Sequence, residues 1–224
     1  MSFSFPHQII FVRHAQTTYS NVFPDITPEG VEQLQCTAKT LQSFIVKKPH
    51  ADLTIITSPA LRAQGSAGVL AEELHYKGNI RTEPLLRDMH VRDWPRAKEL
   101  FQRCLMNGGR VEDVYDVDDR FEDTNIFEPR SSIQKRFFHY MRQLHEKLSQ
   151  FPEPQCVLAV SHFEVLNHFL RSLWPDAPWL RYSSFFRITM DHPISHGRQA
   201  IVTYGECSIN INASVLLQEK QATS

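Results

Sequence analysis

Apolar residues along the chain fall into two patterns: short unbroken runs, and stripes at helical spacing. Residues 8–12, 53–57 and 157–160 are runs rich in Ile, Val and Leu, and each predicts a buried strand. Thr27-Pro28-Glu29 reads as a helix start, with Thr as N-cap, Pro at the first position and an acid in the first turn. Val31, Leu34, Ala38, Leu41 and Ile45 then recur at helical spacing, and Pro49 closes that helix. A second helix is expected from Ser58-Pro59 to about His75, and Leu85-Leu86 opens a third segment. Ser131 or Ser132 is expected to cap a long helix to Gln150, with Phe137, Met141, Leu144 and Leu148 on one stripe. A shorter helix follows over 165–173. The alternating segments 185–190, 200–204 and 208–211 read as edge strands or a hairpin.

Strand and helix alternate through most of the chain. That order predicts a three-layer α/β/α sandwich with a mainly parallel central sheet. No repeat or Gly/Ser linker divides the sequence, so one domain over 1–224 is expected. It carries an insertion or flap at about 95–130, where Asn107-Gly108-Gly109 breaks the pattern, and a C-terminal edge-strand segment at about 176–212.

Charge narrows the function classes. Lys+Arg 24 against Asp+Glu 25 gives a net charge of -1, so no nucleic-acid partner and no membrane partner is expected, and any anion site must be a local cluster. The apolar stretch at 9–12 is short for a signal peptide, and no run approaches a membrane span of about 18 residues. Cys36, Cys104, Cys156 and Cys207 are isolated and read as free thiols, which points to a cytoplasmic protein.

Three of the predicted strands end in polar residues: Arg13-His14, Ser58-Pro59 with Arg62 beyond, and Ser161-His162. Side by side, they would gather Arg13, His14, Arg62 and His162 at the carboxyl edge of the sheet, where ligands bind in such folds. Two guanidiniums, helix N–H groups and an imidazole suit three phosphoryl oxygens. A neutral imidazole can also attack phosphorus, which splits one displacement into two. Asp88, just beyond Leu85-Leu86, is the carboxylic acid best placed to protonate a leaving group.

These residues resemble the histidine phosphatase (phosphoglycerate mutase-like) superfamily. Arg13-His14-Ala15-Gln16-Thr17 is similar to its RHGxT opening, and Ile26-Thr27-Pro28-Glu29-Gly30-Val31-Glu32-Gln33 to its LTxxGxxQA helix start. Thr57-Ser58-Pro59-Ala60-Leu61-Arg62-Ala63 resembles SSPxxRA. Leu86-Arg87-Asp88 with Trp94 resembles the LRE…GxW segment, and Ser161-His162 stands where the family has SHGG. The resemblance spans roughly residues 8–175. It implies a metal-independent phosphomonoester phosphatase that works through phosphohistidine, with no cofactor and a small phosphorylated substrate as partner. His14 would be the nucleophile, and Arg13, Thr17, Asn21, Arg62 and His162 would contact the phosphate. Asp88 would be the acid.

The departures from the pattern define the alternatives. Ala15 replaces a glycine, Ser20 stands where an Asn is usual, with Asn21 one step later, and Phe163-Glu164 replaces Gly-Gly. Glu164 is therefore a second candidate proton donor beside Asp88. The mutase branch places a Tyr three residues after its acid and an Arg pair in the insertion. Here Val91 takes that place and no Arg-Arg pair occurs, which favours phosphatase over a mutase or sugar bisphosphatase. A catalytically weak phospho-ligand-binding regulator is the reading from another class. His192 and His196 have metal-ligand spacing, but Pro193 and Gly197 argue against a helix there, and no metal site is expected.

Overall fold

The computed structural model describes residues 7–18, 26–45, 52–110, 114, 125–151, 153–190 and 199–218. The three apolar runs form strands β1 (His7–Arg13), β2 (Asp52–Thr57) and β4 (Gln155–Ser161), and every residue of β1 and β4 is buried. A short β3 (Arg81–Thr82) completes the parallel half. Helices α1 (Pro28–Ile45) and α2 (Leu61–Glu73) cover one face, where Ile10, Val12, Ile55, Leu158 and Val160 meet Leu34, Leu41 and Leu70. Helices α4 (Arg130–Leu148) and α5 (Phe163–Leu173) cover the other, where Ile9, Phe11, Val157 and Ala159 meet Phe137, Met141 and Phe169. The layers are thus α/β/α, as expected.

The sheet is mixed, which corrects the mainly parallel expectation. Its order is β3-β2-β4-β1-β5-β6-β7, with β5 (Phe185–Met190), β6 (Gln199–Tyr204) and β7 (Cys207–Asn212) all antiparallel to their neighbours. For β6 and β7 the cause is connection length: a parallel return needs a crossover of a dozen or more residues, and the links 190–199 and 204–207 are too short. Of these three strands only β7 lies at the edge, because β5 pairs directly with β1.

Two helix starts differ in how they are capped. Thr27 caps α1 as predicted, its Oγ1 accepting from Gly30 N–H at 3.0 Å. By contrast α4 begins at Arg130 behind Pro129, with no side-chain cap, so Ser131 and Ser132 lie inside its first turn. The insertion is helical at first, as α3 (Trp94–Met106), capped by Asp93 Oδ1 on Arg96 N–H at 3.2 Å. Its acidic stretch 112–123, apart from Val114, lies outside the described residues, as do His192 and His196.

Gly30 sets the distance between α1 and the loop after β1. A Cβ there would stand 2.5 Å from the Gln16 carbonyl oxygen, 2.8 Å from Ile26 Cγ2 and 3.2 Å from Ala15 Cβ. Gly30→Ala is therefore expected to cost about 1–3 kcal/mol by overpacking. Because the clash falls on backbone, it should also displace the loop that carries His14. Denaturant unfolding and turnover should fall together, and an unchanged unfolding midpoint would show that the helix simply slides away.

Candidate functional site

Strand register brings the polar strand ends together. Arg13 pairs with Ser161 across β1 and β4, and Thr57 with Val160 across β2 and β4. Beyond the ladder the chains remain tied: His14 N–H donates to the Ser161 carbonyl at 2.9 Å, and Ser58 N–H to the Val160 carbonyl at 2.9 Å. His14 and His162 therefore face one another with ring centroids 5.2 Å apart.

The imidazole of His14 is oriented by its own loop. Its Nδ1 lies 2.7 Å from the Ala15 carbonyl oxygen, which can only accept, so Nδ1 carries the proton and Nε2 keeps its lone pair. Ala15 N–H is held in turn by Ser66 Oγ at 3.0 Å, and Ser66 Oγ–H donates to the Arg62 carbonyl at 2.7 Å. Ala15 is not among the residues with positive φ, so a methyl group in place of the family's glycine costs no backbone strain. Burial lowers the His14 pKa well below the usual histidine value, and His162 and Arg62 add to the effect. The ring is neutral at neutral pH, as a nucleophile must be.

His162 is completely buried, and its Nε2 lies 2.7 Å from Ser58 Oγ. Burial lowers its pKa to about 4 although the nearby Asp88 opposes this, so it too is neutral. Its Nδ1 is 3.4 Å from Asp88 Oδ2. A Ser58 hydroxyl donating to Nε2 leaves Nδ1–H as the donor that faces the pocket.

Asp88 follows the 3₁₀ turn Pro84–Leu86, which Ser161 Oγ–H anchors through the Leu86 carbonyl at 2.8 Å. Its Oδ2 is ion-paired with Arg62 Nη2, and its Oδ1 accepts from Met89 N–H at 2.8 Å. Burial works against ionisation here, but the fields of His162 and Arg62 outweigh it and hold the pKa at about 2. Beneath this turn Glu128 accepts both Nη groups of Arg87, at 2.9 and 2.8 Å, and Nη2 of Arg136 at 3.2 Å. Arg136 Nη1 also donates to the Leu85 and Arg87 carbonyls, at 2.9 and 2.7 Å.

Arg13 is buried between aromatic rings. Its guanidinium carbon lies 3.8 Å from the Tyr182 centroid and 4.8 Å from that of Phe163, while Nη1 donates to the Leu180 carbonyl at 2.8 Å. Phe163 is backed by Trp179, stacked with centroids 5.3 Å apart. Tyr182 precedes Ser183, whose φ of 57° is a strained conformation for serine. Ser183 N–H donates to the His14 carbonyl at 3.3 Å, and Thr37 Oγ1–H fixes the Ser183 carbonyl at 2.8 Å. Sequence reasoning missed Tyr182 and the Glu128–Arg136 support, and no local motif marks either.

A neutral imidazole with an unblocked nitrogen, flanked by two guanidiniums and a second imidazole, has the groups needed to receive a phosphoryl group. The family model for the histidine phosphatase superfamily (branch 1) matches residues 9–192. The chain belongs to this superfamily. Solved structures of similar fold include a mycobacterial glucosyl-3-phosphoglycerate phosphatase, at 17% identity and a TM-score of 0.60 over 89% of this chain and 98% of that one. A phosphoglycerate mutase from Bacillus anthracis str. Sterne has 14% identity and a TM-score of 0.63, covering 95% of this chain and 96% of the other. At such identities the likeness is one of fold. Comparison with curated protein sequences found no match.

Within this superfamily member the predicted residues fare unequally. Arg13, His14, Arg62, Asp88 and His162 converge. Thr17 is buried and its backbone bridges Ile26, and its hydroxyl has no hydrogen-bond partner among the described residues. Asn21 lies outside the described residues. Among the described residues no group of three or more His, Cys, Asp or Glu is arranged to hold a metal ion, and no helix is long and apolar enough to cross a membrane.

Proposed function

We propose that this superfamily member is a phosphomonoester phosphatase that passes the phosphoryl group through His14. The observation that carries the reading is the Nδ1 contact of His14 with the Ala15 carbonyl, which leaves Nε2 as an oriented, neutral nucleophile. Nε2 attacks phosphorus as the ester P–O bond breaks, and a carboxylic acid protonates the departing oxygen. Water then attacks the phosphohistidine, the P–N bond breaks, and the water proton returns to the carboxylate. Arg13, Arg62 and the Nδ1–H of His162 offset the charge on the transferring group, so the steps need no metal ion. Thr17 and Asn21 complete the proposed phosphate contacts. Val91 stands where the mutase branch has a Tyr and no Arg-Arg pair occurs, which supports hydrolysis over mutase transfer.

A small phosphorylated metabolite in the cytoplasm is the proposed substrate class. The second reading is a phospho-ligand binder of weak activity, and the Arg62–Asp88 ion pair favours it by occupying a guanidinium that phosphate needs. Hydrolysis of p-nitrophenyl phosphate in the presence of EDTA separates the two. Sustained turnover is expected. If phosphate is bound without turnover at any pH from acid to neutral, the binder reading replaces the phosphatase.

A further inference from the structure

Residues of β5 alternate between the two faces of the sheet. Phe186, Ile188 and Met190 are buried on one face, while Phe185, Arg187 and Thr189 stand on the side of α1. Thr203 of β6 pairs with Arg187 and lies on that side too, as does Ile201, which is 42% exposed. The helix layer therefore ends above β5, and the step between α1 and the sheet is a groove of about 440 Å³. That volume is typical of small-molecule sites. Phe44 and Phe185 line it, with their ring centroids 6.2 Å apart. Half-buried Arg187 lies over Phe44, its guanidinium carbon 4.4 Å from the centroid, and its Nε is buried with no hydrogen-bond partner. The hydroxyls around it are engaged elsewhere. Thr203 Oγ1 and Ser208 Oγ bond each other at 3.0 Å, Ser184 Oγ–H donates to the Arg181 carbonyl at 2.7 Å, and Thr40 Oγ1–H to the Cys36 carbonyl at 3.2 Å. Glu206 lies at the exposed rim and makes no ion pair with Arg187.

We propose that this groove is a second binding site, for a small organic monocarboxylate whose carboxylate pairs with Arg187 and whose apolar body packs on Phe44 and Phe185. A guanidinium partly out of water without a counter-ion is costly, and a bound anion removes that cost. Nε and one Nη form the fork that takes a carboxylate through two parallel N–H···O bonds. Burial lowers the Arg187 pKa, in keeping with a cation that lacks a partner. A phosphate dianion suits the groove less well. A single guanidinium would face it, against the two guanidiniums and an imidazole around His14, and Glu206 would repel the extra charge. The groove shares none of the converging residues Arg13, His14, Arg62, Asp88 and His162. It lies beside the phosphate pocket, since the carbonyl of its Ser184 accepts Arg13 N–H at 3.0 Å.

The test is calorimetric titration of the full chain with 3-phenylpropionate and with its uncharged amide. The acid should bind, and the amide should bind about tenfold more weakly or worse, because it lacks the charge that Arg187 pairs with. Arg187→Met keeps an apolar stem on Phe44 and should lose the acid by a similar factor. Thr40→Trp blocks the groove from the exposed side of α1 with Arg187 in place, so it should lose the acid as well even if the Arg187 variant folds poorly. Arg62→Met, altered in the phosphate pocket, should bind the acid as wild type does. Inorganic phosphate at equal concentration should not displace the acid from Arg62→Met. No binding of the acid by wild type up to about 10 mM, equal binding of acid and amide, or unchanged binding in Thr40→Trp overturns the proposal. Loss of the acid in Arg62→Met would place the probe in the phosphate pocket, and displacement by phosphate would make the groove a phosphate site. Either outcome overturns it, as does a self-association of the wild-type chain that Thr40→Trp abolishes, which would put a second copy in the groove.

Discussion

His14→Ala is expected to abolish turnover, by at least about 10³-fold on any phosphomonoester, because the proposed route forms a covalent bond to that ring. The fold gives no replacement. His162 is the nearest imidazole, but its Nε2 is engaged by Ser58 and its Nδ1–H faces Asp88. The loss should not reflect unfolding, since His14 Nδ1 has a single hydrogen bond, to its neighbour's carbonyl. A matched melting curve for His14→Ala would establish that. A direct readout also exists: wild type quenched during turnover of a labelled substrate should carry phosphate that survives alkali and is lost in acid, and the variant should carry none. Label retained by the variant, or turnover within about tenfold of wild type, would remove His14 from the mechanism. The pH profile bears on the same group. With both histidines held low by burial, activity on the acid side should persist well below pH 6.5 and fail only when a ring is protonated, near pH 4 for His162.

That His14 could be singled out from sequence follows from where it stands. Three unbroken apolar runs had to be interior strands, and a buried strand ending in Arg-His, Ser-Pro or Ser-His has no reason to do so unless its end meets something polar. Register then did the rest, since parallel pairing of β1, β4 and β2 aligns the three ends. The antiparallel pairing of β6 and β7 was legible in principle from the short links after 190 and 204, but the strand–helix alternation of the first two-thirds outweighed it. Asp88 was found as a carboxyl group near the pocket. What could not be read was its charge state, which depends on Arg62 and on His162, residues 26 and 74 positions away that only the fold brings near. Tyr182 was invisible for a similar reason: its ring reaches Arg13 from a turn made by a serine at φ 57°, a conformation no propensity predicts. Phe163, a departure from the family's glycine, acquires a role only beside that ring, as the second face of the sandwich around Arg13.

Glu128→Ala is expected to be the most destabilising single change near the site, about 3 kcal/mol, which corresponds to a Tm lowered by roughly 6–12 °C for a chain of this size. Glu128 is 8% exposed and gathers two guanidiniums and the His90 N–H, at 3.1 Å. Removing it leaves the charge of Arg136 uncompensated in a mostly buried place. Arg87 is more exposed and regains solvent, so its share is small. The cost should depend on pH with a definite sign. Although burial opposes ionisation, the His90 N–H and the guanidiniums of Arg136 and Arg87 lower the Glu128 pKa. Its stabilising contribution is therefore present above the ordinary glutamate range and lost as pH falls through the folded value. The difference between wild type and variant should shrink in acid. Activity should fall as well, because Arg136 also holds the Leu85 and Arg87 carbonyls of the turn that presents Asp88. Adding Arg136→Met to Glu128→Ala removes the stranded cation, so the double variant should be more stable than the sum of the single losses predicts. Strict additivity, or a Glu128→Ala melt within about a degree of wild type, would mean that the Asp88 turn is held by its own backbone rather than by the ion pairs beneath it.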